Sequence, residues 1–174
     1  MKKISVKDFV QMYKTNSKTT DKTFEDFIKK HIVVDYIDFL EKEVICTAIV
    51  SSTCHIESGD RQIVKINSTA RYVIFIMRLI DLYTDIEVDF TDANYVKQYD
   101  ELNKIGAINT LISAIPNNEY VEFNTMLNMK MDDFRDNEYS IKAFLYNLKE
   151  SFNISEDIIN SAIKELEKEA EKEN

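Results

Sequence analysis

Two glycines, Gly59 and Gly106, and one proline, Pro116, are all the backbone punctuation in 174 residues. Glycine lets a chain take positive φ or bring its backbone close to a ligand, and proline presets the first corner of many tight turns. A chain this poor in both can build few tight hairpins and few phosphate-cradling loops. It must spend its length on long helices joined by short polar segments.

The apolar periodicity agrees. Ser5 opens a short helix with Asp8 three residues on, and Phe9, Val10, Met12 and Tyr13 form its apolar face. A polar loop is expected from Thr15 to Asp21, with Thr23 capping a second helix that carries Phe24, Phe27, Ile28 and His31. Asp35–Ser52 reads as a strong helix with Tyr36, Phe39, Leu40, Val44, Ile45, Ala48 and Ile49 on one side. From Val44 to Val50 it is apolar nearly all round, which predicts a central position. The period then shortens. Residues 55–57 and 62–66 read as two extended pieces around Gly59, the best hairpin in the chain.

Ser68 is the expected cap of the helix Thr69–Tyr83, whose residues Tyr72, Phe75, Ile76, Leu79, Ile80 and Tyr83 make it the core post. An acidic extended stretch, Asp85–Phe90, leads to a helix that begins at Thr91 or Asp92, runs through Ile105 and ends at Gly106. A brief helix, Ala107–Ile115, stops at Pro116. Asn117 or Asn118 caps a helix through Phe134, with Tyr120, Phe123, Met126, Leu127 and Met131 inward. Further helices are expected at Ser140–Phe152 and from Ser155 to about Glu171. The fold class is therefore mainly α: a compact multi-helix single domain over residues 1–166 with one small β-hairpin or short extended element. Residues 167–174 read as a charged, frayed tail, since strong helix formers persist there without an apolar face.

Hydrophobic residues make up 44% and charged residues 30%, ordinary for a chain with a packed core. The net charge of −9 opposes nonspecific attraction to nucleic acid or anionic lipid, which needs positive surface. Neither kind of partner is expected. The start, Met1-Lys2-Lys3-Ile4, lacks a secretory pattern, and the longest apolar run, Tyr72–Leu82, is interrupted by Arg78 and Asp81. Cys46 and Cys54 fit neither a CxxC redox motif nor a zinc knuckle, so reduced thiols are expected.

The densest charged constellation is Asp81, Asp85, Glu87, Asp89 and Asp92, with no base between Arg78 and Lys97. On an extended segment Asp85, Glu87 and Asp89 share one face while Ile86, Val88 and Phe90 share the other. Three readings follow: a solvated acidic strand, an acidic docking surface, or a Ca²⁺ or Mg²⁺ site. The EF-hand pattern fails, because Phe90 holds the glycine position and Val96 that of the closing glutamate. The only histidines, His31 and His55, sit in no metal or catalytic spacing and read as packing or surface residues. A second acidic group, Asp132, Asp133, Asp136 and Glu138, is expected to pair with Arg135 or to cap the next helix. Met77, Met126, Met129 and Met131 read as core or as an adaptable binding face. No G-x-S-x-G elbow, Walker loop or GxGxxG is present, so nucleotide binding by those routes is excluded. The expectation is no catalytic residue, no cofactor and no metal, with Asp85, Glu87, Asp89 and Asp92 as candidate partner-binding residues.

The run YVIFIMRLIDLYTDIEVDF, Tyr72–Phe90, together with YDELNKIG, Tyr99–Gly106, and the stretch Pro116–Asp133, resembles small helical proteins of phages and prophages of low-GC Gram-positive bacteria. His31-Ile32 and Glu41-Lys42 add to the likeness, which spans residues 30–140. The resemblance implies a virion-associated or assembly role and brings no catalytic residues. The expected function is a non-enzymatic phage protein acting through protein–protein contacts, with itself or other phage structural proteins, in the host cytoplasm during assembly or in the virion. Homo-oligomerisation is expected, since closed assemblies repeat one surface by symmetry. Two alternatives stand beside it. One is an acidic inhibitor that mimics phosphate against a host protein. The other is a metal-dependent enzyme built on Asp85–Asp92.

Overall fold

The structure, a computed structural model, describes residues 3–57 and 63–138. Among them are seven α-helices and two two-stranded β pairs, so the chain is mainly α with small extended elements, as its periodicity predicts. The sequence reading draws one domain over residues 1–166; the backbone groups into two compact units, Met1–Leu127 and Asn128–Asn174. The description below concerns the first, together with the helix that continues from it to Glu138. The expected helices from Ser140 onward and the tail at 167–174 lie outside the described residues.

Strand β1, Ile4–Ser5, runs parallel to β4, Ile86–Glu87, with Ile4 opposite Ile86. Ser5 then caps α1, Val6–Asn16, its hydroxyl accepting from the Asp8 N–H at 3.1 Å. Helix α2, Asp21–His31, starts after Thr20. Thr23, the expected cap, sits inside the first turn, and its hydroxyl hydrogen-bonds that of Thr20 at 2.8 Å. Phe9 of α1 is fully buried, ringed by Tyr13, Phe27 and His31.

Helix α3 is Phe39–Thr53, not Asp35–Ser52. The missing turn has a cause: the Ile37 N–H donates to the Glu119 carboxylate at 3.0 Å, so the backbone there is held by a side chain. The expected hairpin forms, β2 (Cys54–Glu57) antiparallel to β3 (Ile63–Ile66), with Cys54 opposite Ile66. Its turn at Gly59 lies outside the described residues. Helix α4, Ser68–Tyr83, is capped by Asn67, whose side-chain oxygen accepts from Ala70 at 2.9 Å. Ser68, the expected cap, becomes the first helical residue. Asparagine caps as well as serine does and lies one position earlier, so the earlier residue takes the role.

Helix α4 is the post the pattern predicts. Val73, Phe75, Ile76, Met77, Leu79, Ile80 and Tyr83 are buried, and it packs against α3, α5 and α6. Each such aliphatic or aromatic side chain removed from water contributes about 1.5–3 kcal/mol. Tyr72, expected inward, is exposed and meets Tyr99 edge-on. After β4 a 3-10 turn, Thr91–Ala93, leads into α5, Asn94–Lys104. Gly106 follows at φ +74°, the left-handed corner that ends one helix and starts α6, Ala107–Ala114. Past Pro116, helix α7 spans Asn117–Glu138, and its first turn closes on the Pro116 carbonyl through Glu119 and Tyr120. Phe123, Met126, Leu127 and Met131 are buried as expected, Tyr120 only partly, and Met129 is exposed. Among the described residues no helix is long and apolar enough to cross a membrane.

Candidate functional site

The inner face of α3 carries a buried charge. Lys42 is fully inaccessible, as is Glu119 of α7 to within 1%. The Lys42 ammonium straddles the Glu119 carboxylate, 3.0 Å from Oε1 and 2.9 Å from Oε2. It also donates to Glu122 one turn further on, and lies 4.8 Å from the centre of the Tyr36 ring. Glu119 Oε2 accepts from the Tyr83 hydroxyl at 2.7 Å and from the Ile37 N–H at 3.0 Å. Both oxygens of Glu119 are thus occupied, as burial of a carboxylate requires.

Opposed effects set the protonation of this knot. Burial works against a charged Lys42, but the carboxylates of Glu122 and Glu119 outweigh it and hold the pKa above the usual lysine value. Burial likewise opposes a charged Glu119, yet Tyr83, the Ile37 N–H and Lys42 together hold it below the usual carboxyl value. Burial and the Glu119 charge push the Tyr83 hydroxyl far up, so it stays a donor. The knot is an ion pair tied off by a phenol and a backbone amide. Neither the groove between α3 and α4 nor the pocket beside Phe24 and Thr110 is lined by a residue of the knot. Its chemistry is that of a structural clasp between α3, α4 and α7.

The outer face of α3 is the opposite case. Leu40 is 71% exposed, Val44 67% and Phe39 55%, and Tyr36, three residues ahead of the helix, is 59% exposed. The sequence places these residues on the inward side of a central helix; the structure puts Lys42, Cys46, Ile49, Val50 and Thr53 inward and leaves them out. Helix α3 is therefore peripheral, with an apolar stripe on each side. The outer stripe continues into a groove of about 410 Å³ between α3 and α4, floored by Val44, Ile45, Ala48, Ile49 and Ile74. Arg78 stands at its wall, its guanidinium 3.7 Å over the Phe90 ring. Among the described residues Arg78 has no carboxylate partner.

The acidic residues singled out in the sequence do not gather on one open face. Asp85 is buried at 8% exposure, and its Oδ1 lies 2.7 Å from His31 Nδ1. Asp89 folds back on its own loop, where the Thr91 hydroxyl and N–H and the Asn94 amide hold its carboxyl below the usual value. Only Glu87 and Asp92 are left open to solvent. The alternation that predicts a shared face fails because β4 is only two residues long and sits between α1 and α4. Its Asp85 edge turns toward α2 rather than toward water. Among the described residues no three His, Cys, Asp or Glu side chains gather closely enough to hold a metal ion.

His31 is a packing histidine, edge-on to Phe9 and Phe27 and tied to Asp85. Its backbone carbonyl also takes the Asp85 N–H, so the two residues join α2 to β4 twice. Cys46 and Cys54 are both buried and not disulfide-bonded. Asp132 and Asp133 are exposed on α7; the side chains of Arg135, Asp136 and Glu138 lie outside the described residues.

Sequence reasoning missed the Lys42–Glu119 clasp. The one available signal was a single lysine in the first turns of α3, in helical phase with Cys46, Ile49 and Thr53. Against families of known proteins, curated proteins and solved structures, the chain gives no match.

Proposed function

We propose that this chain is a non-enzymatic phage protein that works through protein–protein contacts, in virion assembly or as a virion component. Its working surface is the outer face of α3. The observation that carries the reading is that face itself: Phe39, Leu40 and Val44 are large apolar side chains of one helix that face solvent, with exposed Tyr36 just ahead of them in the chain. Water penalises such a face, and a protein keeps one where a partner covers it. An aromatic and aliphatic centre with a charged rim, here Asp35, Asp38 and Glu41, is the composition of a contact surface. The resemblance of Tyr72–Phe90 and Pro116–Asp133 to small phage proteins supplies the setting, which is the host cytoplasm during assembly.

This reading is favoured over phosphate mimicry because Asp85 and Asp89 spend their carboxylates on His31, Thr91 and Asn94. A mimic needs its charges free to meet a basic cleft.

The test is sedimentation of the full chain beside the double variant Leu40→Asp with Val44→Asp, together with detection of both in gradient-purified particles. Association that the variant loses, at unchanged circular dichroism and unchanged melting temperature, supports the proposal. Identical sedimentation and identical particle content for the two proteins refute it.

A further inference from the structure

We infer that residues 89–94 form a strained strap at the start of α5, latched by Arg78, which opens to carry Phe90 into solvent. The backbone supplies the strain. Asp92 and Ala93 lie at φ +46° and +59°, the left-handed region that residues bearing a Cβ avoid. Two such residues in succession persist only where their surroundings hold them. Both side chains are exposed, so their own packing does not offset the strain. The same turn forgoes a better helix start. Ala93 is the N-cap of α5, and no side chain caps the helix. Alanine is among the poorest caps and aspartate among the best, and Asp92 stands one residue earlier. With Asp92 as the cap, Ala93 joins the helix at right-handed angles and both residues relax.

Tertiary contacts oppose that relaxation. The Phe90 ring lies under the Arg78 guanidinium of α4 at 3.7 Å and stacks on Tyr95 of α5 at 5.8 Å. The Asp89 carboxylate takes the hydroxyl and N–H of Thr91 and the side-chain amide of Asn94, while the Asp89 N–H donates to Gln98 at 2.9 Å. Turning Ala93 from left-handed to right-handed redirects the chain that enters α5, and Phe90, three residues back, leaves the stack. The strap therefore has two arrangements. In one, Arg78 and Tyr95 hold Phe90 and the backbone is strained. In the other, α5 gains a residue at its start and Phe90 meets water. The strain is the opening force and the cation is the latch. Arg78 also walls the groove between α3 and α4, so the strap and the groove share one cation.

Limited chymotrypsin digestion of the full chain, with the cut between Phe90 and Thr91 followed by mass spectrometry, measures the opening. The cut after Tyr36, which is exposed and outside any helix, is the internal standard. Rates are read as the ratio of the two cuts, so that a general loosening of a variant does not pass for opening of the strap. Ala93→Gly removes the left-handed penalty and gives the open helix a worse first residue, so the ratio falls about fivefold. Ala93→Val places a β-branched side chain where φ is positive, and the ratio rises about tenfold. Arg78→Met removes the latch at similar length and also raises the ratio about tenfold. Adding Ala93→Gly to Arg78→Met brings the ratio most of the way back. A ratio that Ala93→Gly leaves unchanged or raises overturns the inference, because the backbone then stores no strain. A ratio indifferent to Arg78→Met overturns it as well, and so does an effect of Arg78→Met that Ala93→Gly fails to reverse.

Discussion

Replacing Lys42 with methionine removes the cation from the α3–α7 clasp at nearly constant volume. The Glu119 carboxylate, 1% exposed, is then left with the Tyr83 hydroxyl and the Ile37 N–H as its only donors. Breaking a buried pair by deleting one partner costs about 3–5 kcal/mol, because the other charge stays desolvated. The Lys42–Glu122 contact adds little, since Glu122 is 45% exposed and regains water when released. The expected loss is therefore about 3 kcal/mol, at the lower end of that range. For a chain of this size it lowers the melting temperature by about 6–12 °C. Glu119→Gln keeps an acceptor for Ile37 and Tyr83 but strands the Lys42 charge, and should cost about 2–3 kcal/mol. The assay is urea unfolding followed by circular dichroism, run as a double-mutant cycle. In the double variant the two losses overlap, and a coupling of about 2 kcal/mol is expected. Single losses below about 1 kcal/mol, or strictly additive losses, refute the claim that the clasp holds α3 in place.

Acid titration gives an independent check on the same clasp. Glu119 titrates lower in the folded chain than its ordinary 4.5, so its contribution is complete above that value and is lost as pH falls through the depressed one. The stability gap between wild type and Glu119→Gln should close in acid. A gap that stays constant down to the unfolding pH contradicts the assignment. Lys42 runs the other way: its contribution holds below 10.5 and fades as pH rises through its raised value. Gly106→Ala should cost about 1 kcal/mol by chemical denaturation. The φ of +74° strains any Cβ, while nothing lies within 4 Å to clash with it; a loss above about 3 kcal/mol would mean a packing role. His31→Phe strands the Asp85 carboxylate inside the α2–β4 junction and should cost about 2 kcal/mol. Combining it with Asp85→Asn should recover part of that loss, and no recovery would show that the pair is incidental.

Long-period features were legible in the sequence, and short-range competitions were not. Helix α4 could be read because Phe75, Ile76, Leu79, Ile80 and Tyr83 recur at helical spacing and are buried; Val73 and Met77, buried beside them, fall outside that spacing, and Tyr72, inside it, is exposed. The β2–β3 hairpin was legible because its period falls from 3.6 to 2 around a glycine. The start of α3 was not. Tyr36 continues the helical spacing of Phe39 and Leu40, but the Ile37 N–H is claimed by Glu119, 82 residues away in sequence. No local pattern encodes that. The acidic cluster failed for a related reason: alternation tells which residues share a side of a strand, not whether that side meets water or His31.

The orientation of α3 is the hardest case, because its sequence supports two answers. Leu40, Val44 and Ala48 make one apolar stripe; Cys46, Ile49, Val50 and Thr53 make another, and residues two apart lie about 200° round the helix. Judged by transfer free energy alone, the first stripe should be inside, since it is as greasy as the second and leaves Lys42 in water. The structure has the reverse, and the group that tips the balance is Glu119. It gives Lys42 a partner only when α3 is turned so that Lys42 faces in. On this argument the clasp contributes little net stability relative to an apolar replacement, but it selects the rotational phase of the helix and so puts Leu40 and Val44 on the surface. Glu119→Leu removes the selection. Lys42 should then turn to solvent and carry Cys46 outward with it. Maleimide labelling of Cys46, in a Cys54→Ser background and well below the melting temperature, reports the change. Labelling about tenfold faster than in the parent chain, with helicity intact, is the expected outcome. A folded variant whose Cys46 stays as protected as before would show that Glu119 does not set the phase of α3.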